Sequence, residues 1–149
     1  MRNRRISREI ALQVLFQWEA QGFLASKQES LPSEINFSGL QSFLSQFVRD
    51  FYNKGSSHLD MTFIGLLLAN TLNNIATIDQ TIDNISTKWR LSRMNAIDRA
   101  ILRLACCELN DKKLAPAIII NEAVELAKRY GGEASPLFIN GLLDAIHRR

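Results

Sequence analysis

Residues 94–110 read MNAIDRAILRLACCELN, and this stretch decides the fold. Ile97, Ile101, Leu104, Ala105 and Leu109 recur at spacings of three and four, the period of one helical face. Leu102 and Cys106 widen that face until little of the girth is left for water, which marks a central, buried helix. Asn95 followed by Asp98 reads as its start: a side chain that caps orphan N–H groups, then a carboxylate in the first turn. Arg99 and Arg103 stand four apart on this otherwise apolar helix. The first turn, where a core helix reaches the surface, is a candidate contact site. On the residues alone, the plainer reading is that Asp98 serves the helix dipole and Arg103 pairs with a neighbouring carboxylate.

Outward from this helix the chain reads as helices throughout. Arg5–Gly22 form a first helix, with Ile6, Ile10, Val14 and Trp18 repeating every four residues. Residues 25–38 are polar, contain Pro32, and form a connection. Leu40, Phe43, Leu44, Phe47, Val48 and Phe51 match a second helix, with Gly55 placed to cap it. Ser57 and Asp60 resemble a capping box for a long third helix over about 59–86, bent near the polar residues 70–74. A short amphipathic turn with Trp89 and Leu91 leads into the central helix. Pro116 starts a helix over 117–130 that Gly131 and Gly132 stop, and Ser135 caps a last one with Pro136 at its first position. No segment alternates with a period of two. The fold class is all-α, and the length fits one domain or two small subdomains sharing a core.

Composition narrows the function. Of the 149 residues, 46% are hydrophobic, ample for a core and incompatible with wholesale disorder. No apolar run approaches the roughly 18 residues that span a bilayer, and the basic N-terminus lacks the apolar segment of a secretory signal; a cytoplasmic location is the expectation. Arg2, Arg4, Arg5 and Arg8 bring four positive charges before the first acidic residue, Glu9, against a total of +3. The basicity is thus local, the pattern of a nucleic-acid footprint or a membrane-surface arm. On a helix, Arg4, Arg5 and Arg8 share an arc of roughly 100° beside the apolar stripe. Guanidinium groups there grip phosphates bidentately and stack on bases at any physiological pH. A basic arm that only aids solubility is the bland alternative.

Catalytic templates fail in turn. Gly131-Gly132 is a helix stop without the Lys-Ser/Thr of a phosphate loop, and no serine sits in a nucleophile elbow. Cys106 and Cys107 point about 100° apart on one helix, which suits neither a disulfide nor a shared metal. His58 and His147 are not spaced as ligands. Asp79, Asp83, Glu122 and Glu125 occupy solvated or capping positions. The expectation is a binding module with no cofactor and no metal, not an enzyme.

Three stretches together resemble the bacterial transcription antitermination family NusB: RRISREIALQVLFQWE at the N-terminus, WRLSRMNAIDRAILRLACCEL at 89–109, and PAIIINEAVELAKRYGGEASPLFINGLLDAI at 116–146. The resemblance implies an all-α protein of about seven helices in two small packed bundles, a single domain spanning 1–149, that binds boxA-type single-stranded RNA of ribosomal RNA transcripts. It implies pairing with the small-subunit ribosomal protein NusE, in a complex that keeps RNA polymerase from terminating early. By motif match, Arg4, Arg5 and Arg8, with Arg2 beside them, carry the arginine-rich RNA contact. Phe138 supplies an aromatic ring against RNA; by periodicity alone it would be core. Phe16 stands where the family usually holds tyrosine, at the edge of the site. Asp98, Arg99 and Arg103 match an element near which the family binds its ribosomal partner. Ala134 replaces an acidic residue of some members, which implies tighter phosphate binding. Asn121, Glu122 and Asn140-Gly141 read as caps and close packing that keep the fold. The alternatives are a helical protein–protein scaffold, or the RNA-recognition subunit of an RNA methyltransferase. A monomer and a homodimer are equally compatible with the sequence.

Overall fold

The computed structural model describes residues 4–20, 37–52 and 59–149. Among them are seven α-helices and no strand: α1 (Arg4–Ala20), α2 (Phe37–Phe51), α3 (Met61–Asn73), α4 (Ile75–Ile85), α5 (Ala96–Asp111), α6 (Pro116–Tyr130) and α7 (Ser135–Arg148). A short 3-10 turn, Leu91–Arg93, precedes α5. The chain divides into two compact units, residues 1–73 and 74–149. Arg2, Gly55 and Ser57 lie outside the described residues.

In the first unit α3 packs on both α1 and α2. The repeat of α1 buries Ile10, Ala11, Val14 and Leu15, and α3 answers with Ile64, Leu67 and Leu68. Asp60 caps α3, its Oδ1 accepting from the Phe63 N–H at 3.0 Å. The long helix expected over 59–86 is two helices. Asn74, at φ −116° and ψ 17°, interrupts it, since asparagine side chains compete with the helical backbone.

In the second unit α5 packs against α4, α6 and α7. Every residue from Ala100 to Glu108 is buried, Arg103 among them, as expected of the helix at 94–110. Asn95 caps it, with Oδ1 accepting from the Asp98 N–H at 2.8 Å. Pro116 opens α6, its missing N–H costing nothing in the first turn. At α7 the expected cap is corrected. Ala134 holds the cap position, already in helical geometry (φ −85°, ψ −11°). Ser135 is therefore inside the helix, and its Oγ accepts from the Gly132 N–H at 3.0 Å. Gly131 is required by close approach: a Cβ there would lie 2.7 Å from Ser135 Cβ and 2.8 Å from the Ala127 carbonyl. Gly141, by contrast, is exposed with open space around it, so the close packing expected of it is absent.

Candidate nucleic-acid interface

Each unit brings together part of the expected site. On the first, Arg4 and Arg5 are exposed at the start of α1, whereas Arg8 is only 5% exposed. The presented edge is therefore smaller than the sequence implies. One ring explains it: Phe63 lies under both guanidinium groups, 4.2 Å from Arg4 and 5.1 Å from Arg8. The ring attracts both cations and helps to hold them in place. Arg4 Nε also donates to Asp60 Oδ2 at 3.0 Å. Ser7, buried between them in sequence, accepts from the Asp60 N–H at 2.9 Å, so the carboxylate is anchored from below. The start of α1 is a positioned basic edge rather than a loose arm.

Phe16 is exposed on the same helix, but eight residues past Arg8, about 12 Å further along the axis. It lies further along α1 than the arginines, exposed as Arg4 and Arg5 are. Nearer to it in sequence, Trp18 packs on Phe43 with ring centroids 5.2 Å apart, and Phe43 on Phe47 at 6.2 Å.

On the second unit, the three residues expected at a protein contact have different fates. Arg103 is buried and bidentate to Asp79 of α4, Nε to Oδ1 at 2.8 Å and Nη2 to Oδ2 at 3.0 Å. Arg99 Nη1 donates to the carbonyls of Leu91, at 3.2 Å, and of Met94, fastening the 3-10 turn to α5. Both arginines serve the scaffold. Asp98 differs: it is 7% exposed, its Oδ2 accepts from Asn95 Nδ2 at 3.2 Å, and its Oδ1 has no partner.

Asp98 lines a cavity of about 450 Å³ together with Trp89, Arg93, Met94, Phe138 and the turn 132–135. Phe138 is half-buried there, neither the full core residue that periodicity predicts nor a free surface ring. The sequence reading missed Trp89, 55% exposed, and the cations Lys88, Arg90 and Arg93 around it. All three are exposed. The signal is present as KWRLSR, an aromatic interleaved with basic residues, in the short turn that leads into α5.

The family model described as "NusB family" matches residues 5–148. The chain belongs to the NusB family. Among relatives, the transcription antitermination protein NusB of Desulfitobacterium hafniense (strain Y51) is 39% identical over 145 residues, covering 97% of this chain and 87% of its own. That of Sorangium cellulosum is 39% identical over 144 residues, covering 96% and 90%. Among solved structures, T. maritima NusB superposes with a TM-score of 0.74 at 30% identity, over 100% of this chain and 94% of that one. A chain in a crystal structure of a plectonemic RNA supercoil reaches 0.75 at 26% identity, over 99% and 96%. T. maritima NusB shares the all-α architecture described above.

Proposed function

We propose that this protein is a transcription antitermination factor, an RNA-binding adaptor that works with partner proteins and carries out no catalysis itself. The observation that supports it most directly is the positioned edge of Arg4 and Arg5, on a chain whose relatives are antitermination proteins along nearly their whole length. The ligand is a boxA-type single strand in ribosomal RNA transcripts. Arg4 and Arg5 grip its phosphates, Arg8 stiffens the edge from within, and Phe138 on the second unit stacks on an unpaired base. Arg2, two residues earlier in the sequence, adds a further positive charge. NusE is the protein partner, and the antitermination complex on RNA polymerase is where the adaptor acts, in the cytoplasm. Phe16 and the Trp18–Phe43 pair offer the apolar surface that a protein partner uses. Asp98 stands at the start of α5 where NusE docks, while Arg99 and Arg103 hold the turn and helix that carry it.

A titration of a boxA-like RNA, with and without NusE and at two salt concentrations, tests this reading. Each phosphate contact contributes about −0.7 to the slope of log affinity on log salt for a single strand. Arg4→Ala with Arg5→Ala is expected to flatten that slope by about 1.4. Unchanged affinity and slope in that variant would remove the arginine edge from the interface.

A further inference from the structure

We propose that Phe63 is a positioning residue of the RNA interface: its ring holds the Arg4 guanidinium by the face and leaves N–H donors free for a phosphate. The proposal rests on the reading of Arg4 as an RNA contact and adds what sets the strength of that contact.

Nothing on α1 itself fixes Arg4. It is the first residue of the helix, and the first turn carries no acidic residue. The N-terminal end of a helix is the positive end of its dipole and disfavours a cation. An arginine side chain also has several rotatable bonds, and freezing them when a ligand binds costs affinity. With its side chain 52% exposed, Arg4 would sample many rotamers on α1 alone.

What fixes it comes from the start of α3. The Phe63 ring centroid lies 4.2 Å from the Arg4 guanidinium carbon, well inside the roughly 6 Å over which a ring attracts a cation. Asp60 Oδ2 accepts from Arg4 Nε at 3.0 Å. The two holds differ in kind. A carboxylate takes up a donor that a phosphate could use, and a surface ion pair is screened by salt. A ring meets the flat face of the guanidinium and takes up no N–H donor. Among the described residues Arg4 makes no other hydrogen bond. Both Nη groups therefore keep their donors, the fork that grips phosphate oxygens.

The ring is itself set before any ligand arrives. The Phe63 N–H donates to Asp60 Oδ1 at 3.0 Å, and the Asp60 N–H donates to Ser7 Oγ at 2.9 Å. Ser7 is buried on α1, between Arg4 and Arg8 in sequence, so these bonds fix the α3 start against the arginines. Arg8, 5.1 Å from the same centroid, is too buried to reach a phosphate and serves as the second cation on the ring.

The test compares Phe63→Leu, which keeps apolar bulk and removes the ring, with Phe63→Tyr, which keeps both. Binding of a boxA-like RNA is titrated at two salt concentrations. Phe63→Leu is expected to bind about fivefold more weakly with an unchanged salt slope, because the phosphate contact survives and only its ordering cost rises. Phe63→Tyr is expected to bind like the unsubstituted protein. Arg4→Ala is expected to weaken binding and flatten the slope by about 0.7. In that background Phe63→Leu is expected to add less than about twofold. A side chain that served packing alone would cost the same in both backgrounds. Equal losses there overturn the proposal, as does full affinity in Phe63→Leu. The free protein gives a readout that does not depend on how well Phe63→Leu folds. Held over the ring, the Arg4 δ protons are expected to resonate upfield of the usual arginine position, and Phe63→Tyr to keep that shift. Ordinary δ-proton shifts overturn the proposal and leave Arg4 as an RNA contact. Full affinity in Arg4→Ala removes the contact itself, and the proposal with it.

Discussion

Two arginine–carboxylate pairs, one in each unit, have nearly the same distances and different consequences. Arg103 and Asp79 meet at 2.8 Å with side chains 7% and 29% exposed. Arg4 and Asp60 meet at 3.0 Å with side chains 52% and 19% exposed. The first pair is withdrawn from water and makes two parallel bonds, so neither partner can be exchanged without stranding the other. The second is a single bond at the surface, screened by salt and open to exchange with a phosphate. Sequence places both arginines on helices at similar spacing from apolar stripes. Burial alone separates the clamp from the contact.

The largest expected effect lies beside the buried pair. Cys106, on α5 with Arg103, has its thiol pushed up from 9.0 to about 12, chiefly by burial, then by Cys107 and Asp79. In the native protein at pH 8, its alkylation by iodoacetamide should be about a thousandfold slower than in the unfolded chain. Comparable rates would show that α5 is open to solvent. The same shift bears on stability. Well below pH 9 the thiol is almost wholly neutral in both states and the contribution is complete. As pH rises from there toward about 12 the unfolded chain releases the proton first, so stability falls. Urea midpoints between pH 8 and 10.5 should decline, and Cys106→Ala should shallow the decline.

Next comes the clamp itself. Arg103→Ala should lower unfolding free energy by about 3 kcal/mol, because Asp79 is left without its cation. Arg103→Met with Asp79→Leu should recover most of that loss, since apolar replacement removes both desolvation costs. Gly131→Ala should cost about 2 kcal/mol through overlap with Ser135 and the Ala127 carbonyl. Gly141→Ala, with nothing near its new methyl group, should instead gain up to about 1 kcal/mol. Urea unfolding measures all four.

Those glycines mark how far the sequence could be read. Periodicity located the α5 core, because a helix with apolar residues on every side has one stable environment. It located Asn95 and Pro116 as well, since capping is local chemistry. It did not distinguish Gly131 from Gly141, because close approach depends on what another helix brings. It put Arg8 on the basic arc, correctly, but could not see that Phe63, 55 residues on, covers it. The cavity was least legible: Trp89, Asp98 and Phe138 are brought together by tertiary contact alone, and an unsatisfied oxygen has no signature in sequence.

The smallest effect is the most telling for the exposed pair. Asp60 caps α3 through Oδ1 and pairs Arg4 through Oδ2. Asp60→Asn keeps an acceptor for the Phe63 N–H and removes the charge, so it isolates the pair from the cap. A double-mutant cycle of Arg4→Ala with Asp60→Asn should give a coupling of about 0.5 kcal/mol or less, and 0.5 M salt should erase it. The same cycle on Arg103 and Asp79 should keep most of its coupling in that salt, because a pair withdrawn from water is screened far less. Asp60→Asn should also bind boxA-like RNA slightly more tightly, as Arg4 then has one competitor fewer. If the Arg4–Asp60 coupling matched that of the clamp, Arg4 would be held as firmly as Arg103. A guanidinium held that firmly could not let go of its carboxylate to take a phosphate.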